Sequence, residues 1–176
     1  MYKSDTFSIF ALKADDAYNL NALILENMDH FGKYLPITVS KNLTVKASEA
    51  YIQKKKEEYV KKTCITFGIE ESQTGKIAGL IILKNIELKK KEAEFAYCMA
   101  ASFGGRGWMS MAVEKMIEYA QDEFGIAHFK VITHKTNIGS CKVAEKTGFI
   151  WKKTLLKEFR PKNFAPMDME LYERSL

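Results

Sequence analysis

Residues 78–83 read Ala-Gly-Leu-Ile-Ile-Leu, an unbroken apolar run of strand length. Successive side chains of a strand point to opposite faces, so this segment has two apolar faces to bury. A strand of that kind belongs in the middle of a sheet with a layer on each side. The longest purely apolar run, Ile77 to Leu83, falls far short of the ~18 residues that a membrane span requires. The chain therefore reads as soluble, with no membrane partner. Its 176 residues suit one domain, 1–176, and a chain of this size buries roughly 70% of its unfolded surface without disulfides.

The other elements follow from periodicity. Thr6 to Leu12 is rich in β-branched and aromatic residues and reads as a strand. Asp15 and Asp16 then suit a helix start, which places Ala17, Leu20, Ile24 and Met28 on one face. His30 to Pro36 interrupts, and Val45, Ile52 and Tyr59 recur at heptad spacing in a second, Lys-rich helix. Thr63–Ile69 and Ile77–Ile86 form a hairpin around Ser72-Gln73-Thr74-Gly75, and Ala93–Met99 is the next strand. Met109, Ala112, Val113, Met116, Ile117 and Ala120 follow a 3.6-residue period without a miss, and Gly125 ends that helix. Phe129–Thr133, a short helix at Gly139–Thr147, and strands at Ile150–Phe159 and Met167–Tyr172 complete the chain. The order is β-α-α-β-β-β-α-β-α-β-β, an α/β fold with a mixed sheet.

Charge and reactive residues narrow the function. Lys and Arg number 27 against 22 Asp and Glu, a net charge of +5. That suits an anionic ligand and is weak for a nucleic-acid binder; Lys54-Lys55-Lys56 and Lys61-Lys62 read as a solvated helix face. No nucleic-acid partner is expected. Cys64, Cys98 and Cys141 are odd in number and widely spaced, which argues against a disulfide framework and for a reducing, cytoplasmic compartment. His30, His128 and His134 show no ligand spacing, so no metal is expected.

Gly104-Gly105-Arg106-Gly107 lies between a buried strand and the amphipathic helix. Two readings fit: a tight turn, and an anion site built from close-approaching backbone N–H groups and the positive end of the helix. The spacing lacks GxxxxGK[ST], and a dinucleotide fingerprint would need Gly or Ala where Ser110 stands. Any pyrophosphate held here belongs to a ligand other than ATP or NAD.

Strand, glycine loop and helix, followed by strand, an Asn137-x-x-Ser140 helix and Gly148-Phe149, together resemble the GNAT N-acetyltransferases. Their signature is Arg/Gln-x-x-Gly-x-Gly/Ala. Here it reads Gly104-Gly105-Arg106-Gly107-Trp108-Met109, matching at Gly107 and departing at Gly104 and Met109. Met109, the His30–Pro36 segment, Asn85-Ile86-Glu87 and Ala93-Glu94-Phe95-Ala96-Tyr97 are similar to the RimJ/RimL-like branch, which acetylates ribosomal-protein N-termini. The resemblance implies a mostly antiparallel sheet of about seven strands with helices on both faces. It implies direct transfer of acetyl from acetyl-CoA to a primary amine, foremost a protein N-terminal α-amine. A small-molecule amine (polyamine, amino acid or drug) and a non-catalytic CoA-binding module are the alternatives. Relatives in that branch are often dimers, so a homodimer is one assembly it allows.

Residue by residue, the resemblance places the pantetheine arm beside Met99, Ala100 and Ala101, where a bulge splays the strand. It places the pyrophosphate on Gly104, Gly105, Arg106, Gly107, Trp108 and Met109. Asn137 meets the pantetheine or caps its helix, and Lys142 and Lys146 meet CoA phosphates. Ala144 stands where many relatives carry an acidic tyrosine; Ser140 is the expected partner of the CoA sulfur instead. Glu87 is the expected general base, with Glu94 as its rival on the substrate side. Phe31, Tyr34, Phe164 and Met167 line the acceptor side.

Overall fold

The computed structural model describes residues 2–160 and 165–176. The elements, in order, are β1 (Phe7–Ala11), α1 (Ala17–Glu26), α2 (Met28–Gly32), α3 (Pro36–Ser40), α4 (Val45–Val60), β2 (Ile65–Glu71) and β3 (Ile77–Glu87). They continue with β4 (Glu92–Met99), α5 (Trp108–Phe124), β5 (His128–Thr133), α6 (Ile138–Lys146), β6 (Ile150–Phe159) and β7 (Met167–Ser175). The strands form one seven-stranded sheet in the order β1-β2-β3-β4-β5-β7-β6. Every neighbouring pair is antiparallel except β4–β5.

The doubly apolar strand is central, as its composition requires. Ile81 and Leu83 of β3 join the core under α5, and Leu80 joins the core under α1–α4. All six periodic positions of α5 are buried. Gly79 has a separate role: a Cβ there would collide with the Cys98 carbonyl, so its lack of a side chain lets β3 and β4 close against each other.

Three expectations need correction. Four α-helices and a 3-10 turn at Ala14–Asp16, not two helices, separate β1 from β2. The first ends at Asn27, whose Nδ2 donates to Leu23 O at 2.9 Å and whose Oδ1 accepts from Ala101 N at 3.1 Å; that tie breaks the apolar stripe, and Met28 is 44% exposed. In α4 the heptad reading holds at Ile52, which is buried, and at Val45, which packs half-buried against the same core, and fails at Tyr59. Ser48, Tyr51 and Ile52 are the buried residues, while Tyr59 is 41% exposed and its hydroxyl reaches that of Tyr119 at 2.6 Å. The β3–β4 ladder is regular through Gly79↔Met99, where a bulge was expected. Its irregularity lies at the other end, between Lys84 and Glu87, with Asn85 at φ 52°.

Candidate active site

β4 and β5 part company without a bulge. Their pairing runs from Glu92↔His128 to Phe95↔Val131 and stops, while β4 continues to Met99. On its other edge β4 remains paired to β3, and Ala100 N–H donates to Ala78 O at 2.8 Å. Backbone groups of alternate residues in an antiparallel ladder point to opposite edges. Ala100 uses the β3 edge, so Met99 and Tyr97 present their N–H and C=O groups to the gap that β5 leaves. That gap opens into a cleft of about 530 Å³, within the range of small-molecule sites.

One end of the cleft is the start of α5. Gly107 precedes it at φ 78°, a left-handed conformation that glycine adopts freely, and no side chain caps the helix. The first intrahelical bond runs from Met111 N–H to Gly107 O, which leaves the N–H groups of Trp108, Met109 and Ser110 without helical partners. Lys146 Nζ lies 3.8 Å from where a Gly107 Cβ would stand. Free donors, the helix dipole and an ammonium thus converge on one spot, as an anion requires. Lys142 and Lys146 line the cleft, and among the described residues neither pairs with a carboxylate.

Arg106 is committed to the loop itself. Its guanidinium covers Phe103 at 4.9 Å and Trp108 at 5.2 Å, and it meets Glu71 at 3.4 Å and the Ser102 carbonyl at 3.3 Å. The Trp108 ring stacks against Phe7 (5.2 Å, 20°) and against Phe103 (5.6 Å, 24°). The side chains of Trp108 and Met109 belong to the core, and their backbones belong to the cleft.

The opposite side is closed by α6. Asn137 caps it, accepting from Ser140 N at 3.3 Å. Ser140 Oγ donates to Tyr97 Oη at 3.2 Å, and Tyr97 Oη donates to the Ser140 carbonyl at 3.0 Å. This pair bridges the mouth between β4 and α6. Burial pushes the Tyr97 hydroxyl pKa up, so it stays protonated and neutral. Burial likewise pushes the Cys98 thiol up to about 12, so this cleft-lining cysteine is no thiolate nucleophile.

The cleft gathers Met99, Ala100, Ala101, Gly104 through Met109, Asn137, Ser140, Lys142 and Lys146, together with Phe31 and Tyr34. It does not gather the two expected carboxylates. Glu87 pairs with Glu92 at the far end of the β3–β4 ladder, roughly 23 Å of strand from Met99 at 3.3 Å per residue. Its side chain is 51% exposed and meets Lys90 at 2.7 Å. Glu94 points to the α1–α4 face and is held by Lys84 and Asn85, each at 2.8 Å. Among the described residues no Asp or Glu lines the cleft. Phe164 lies outside the described residues; Met167 opens β7. Sequence reasoning missed His30, Leu35 and Tyr97 as lining residues. The first two lie in the His30–Pro36 segment, and strand alternation from Phe95 could have found the third. Among the described residues no helix is long and apolar enough to cross a membrane, and no cluster of His, Cys, Asp or Glu could hold a metal.

A sheet parted beside an uncapped helix N-terminus offers one ligand both a free strand edge and an anion site, and the comparisons give the family. Residues 9–150 match the Acetyltransferase (GNAT) domain. The chain belongs to the GNAT acetyltransferase family, and it is an acetyl-CoA-dependent N-acetyltransferase. It is 27% identical to YdaF of Bacillus subtilis (strain 168), whose name carries a provisional assignment as a ribosomal N-acetyltransferase, over 84% of this chain and 79% of YdaF. It is 27% identical to YjcK of the same strain, whose name carries a provisional assignment as an N-acetyltransferase, over 85% of this chain and 83% of YjcK. The ribosomal-protein-S5-alanine acetyltransferase of Vibrio fischeri shares the fold with a TM-score of 0.90 at 18% identity, covering 99% of this chain and 95% of that one. The microcin C7 self-immunity acetyltransferase MccE, solved with acetyl-CoA and AMP, superposes with a TM-score of 0.88 at 23% identity, over 98% and 94% of the two chains.

Proposed function

We propose that residues 1–176 form a single cytoplasmic domain that transfers acetyl to the α-amine of a polypeptide N-terminus, of the kind ribosomal proteins present. The observation that carries this reading is the charge of the cleft. Among the described residues no carboxylate lines it, so a polyamine would find no counter-charge for its several ammonium groups. An α-amine brings one positive charge and loses it readily. Deprotonation at pH 7 costs about 1 kcal/mol for a group near pKa 8 and about 4.6 kcal/mol for a lysine near 10.4. The relatives named for ribosomal proteins support the same acceptor.

In this reading the α5 N-terminus and Lys146 hold the CoA pyrophosphate, and the pantetheine pairs with the exposed edge of β4. The Met99 N–H stands where an oxyanion donor is needed. The neutral amine attacks the thioester carbonyl, the C–S bond breaks, and Ser140 turns its hydroxyl from Tyr97 to the departing sulfur. A hydrogen bond to a charged group contributes about 1.5–3 kcal/mol. Ser140→Ala therefore lowers kcat by roughly tenfold to a hundredfold with little change in acetyl-CoA Kd, while Glu87→Gln leaves kcat within about twofold. A thiol-release assay on both variants measures this, and an inactive Glu87→Gln would contradict the placement of the site.

The acceptor is tested with hexapeptides beginning in Ser or Ala, set against spermidine and free amino acids. Thiol release with the peptides, abolished when their N-termini are blocked, is expected. Release with the small amines alone would transfer the assignment to a small-molecule acetyltransferase.

A further inference from the structure

An ammonium must lose a proton before it can attack, and the cleft has none of the carboxylates expected to take it. Phenols, thiols, ammonium and guanidinium groups keep their protons at neutral pH, whereas an imidazole accepts one there. Among the described residues the ionisable side chains that line the cleft are Tyr34, Tyr97, Cys98, Arg106, Lys142 and Lys146, with one imidazole, that of His30. We infer that His30 is the catalytic proton acceptor for the incoming amine, directly or through one water. The inference rests on the N-terminal acetyltransferase reading and names a residue to which neither the motif pattern nor the family resemblance gave a role.

The geometry suits the task. His30 sits on α2, its ring centroid 5.8 Å from that of Phe31 and 6.2 Å from that of Tyr34 at 78°. Phe31 and Tyr34 line the same wall of the cleft. The Tyr34 hydroxyl meets Thr136 Oγ1 at 3.3 Å, which meets His134 Nδ1 at 2.7 Å, so this wall is tied to the β5–α6 loop across the opening. His30 itself is exposed, which lets a proton taken from the amine pass on to solvent. The charged and titratable groups around it are Asp29 on α2, Glu26 at the end of α1, and Lys33 and Tyr34 on the link to α3; α3 carries none. Across the cleft stand Tyr97, Cys98, Arg106, Lys142 and Lys146.

The step balances. His30 takes one proton from the ammonium and becomes an imidazolium. The neutral amine forms the N–C bond, the C–S bond breaks, and a second nitrogen proton ends on the CoA sulfur by way of Ser140. The imidazolium then releases its proton to water, so one proton is produced per acetyl transferred.

His30→Gln tests it through kcat/KM for a Ser-initiated hexapeptide as a function of pH. The variant is expected to lose at least tenfold at pH 6.5 and less than about threefold at pH 9, where an α-amine near pKa 8 deprotonates without help. Its acetyl-CoA Kd by isothermal titration stays at the wild-type value. An equal loss at every pH would mark a merely structural role, and an unchanged profile would remove His30 from the chemistry; either overturns the inference. So does a profile that shifts in His134→Gln and not in His30→Gln, which would move the proton to the Tyr34–Thr136–His134 chain. A wild-type protein that releases no thiol with the peptide contradicts the acceptor reading instead, and His30→Gln is then read on the small amine that does support release.

Discussion

Replacing Gly107 by Val weakens acetyl-CoA binding at least a hundredfold in a protein that still folds. Two effects add. Gly107 has φ 78°, and an L-residue in the left-handed region costs about 1–2 kcal/mol, more when β-branched. The backbone relieves that strain by turning, which re-aims the N–H groups of Trp108 and Met109. The new side chain also enters the space between the helix start and Lys146 Nζ, where 3.8 Å is all that separates a Cβ from the ammonium. A hundredfold loss corresponds to about 2.8 kcal/mol, within reach of the two effects together. The loop is exposed, so circular dichroism and the thermal midpoint should change little. Isothermal titration measures the loss; an unchanged Kd would mean that the anion does not rest on this turn.

The largest loss of stability is expected at the next residue. Trp108→Ala removes a ring that is 8% exposed and stacked against both Phe7 and Phe103, and deletions of this size in a core cost about 3–5 kcal/mol. Against a typical total of about 5–15 kcal/mol, the midpoint should fall by roughly 10 °C or more. Trp108→Phe keeps an aromatic slab between Phe7 and Phe103 and should recover most of the loss. Thermal and urea melts check both variants. At temperatures where Trp108→Ala remains folded it should still bind acetyl-CoA, because the proposed site uses the main-chain N–H of residue 108 and not its ring. A stable Trp108→Ala protein would contradict the stacked core.

What could be read from the sequence is what periodicity and backbone chemistry encode locally. The 3.6-residue stripe of α5 and the two-faced apolar strand β3 both take the places their patterns require. The glycine loop is legible because a left-handed turn before a helix leaves few alternatives to Gly107. Breaks that depend on a distant partner were hidden. α1 stops at Asn27 because Asn27 also binds Ala101, a contact 74 residues away in sequence. The burial of the Trp108 ring was hidden likewise, because its stacking partner Phe7 lies on β1, far away in sequence. The carboxylates show the limit most clearly: Glu87 sits in a matching stretch, yet the antiparallel register carries it to the far end of the ladder. His30 and Tyr97 are far apart in sequence, and they line one cleft because β5 leaves β4 after Phe95.

The most direct test of the account is isothermal titration of the purified protein with acetyl-CoA, beside the Gly107→Val variant. The account predicts one saturable site per chain in the wild type, lost in the variant. Absence of binding to the wild type would mean that the parted strands and the α5 N-terminus keep the architecture of the family without its ligand.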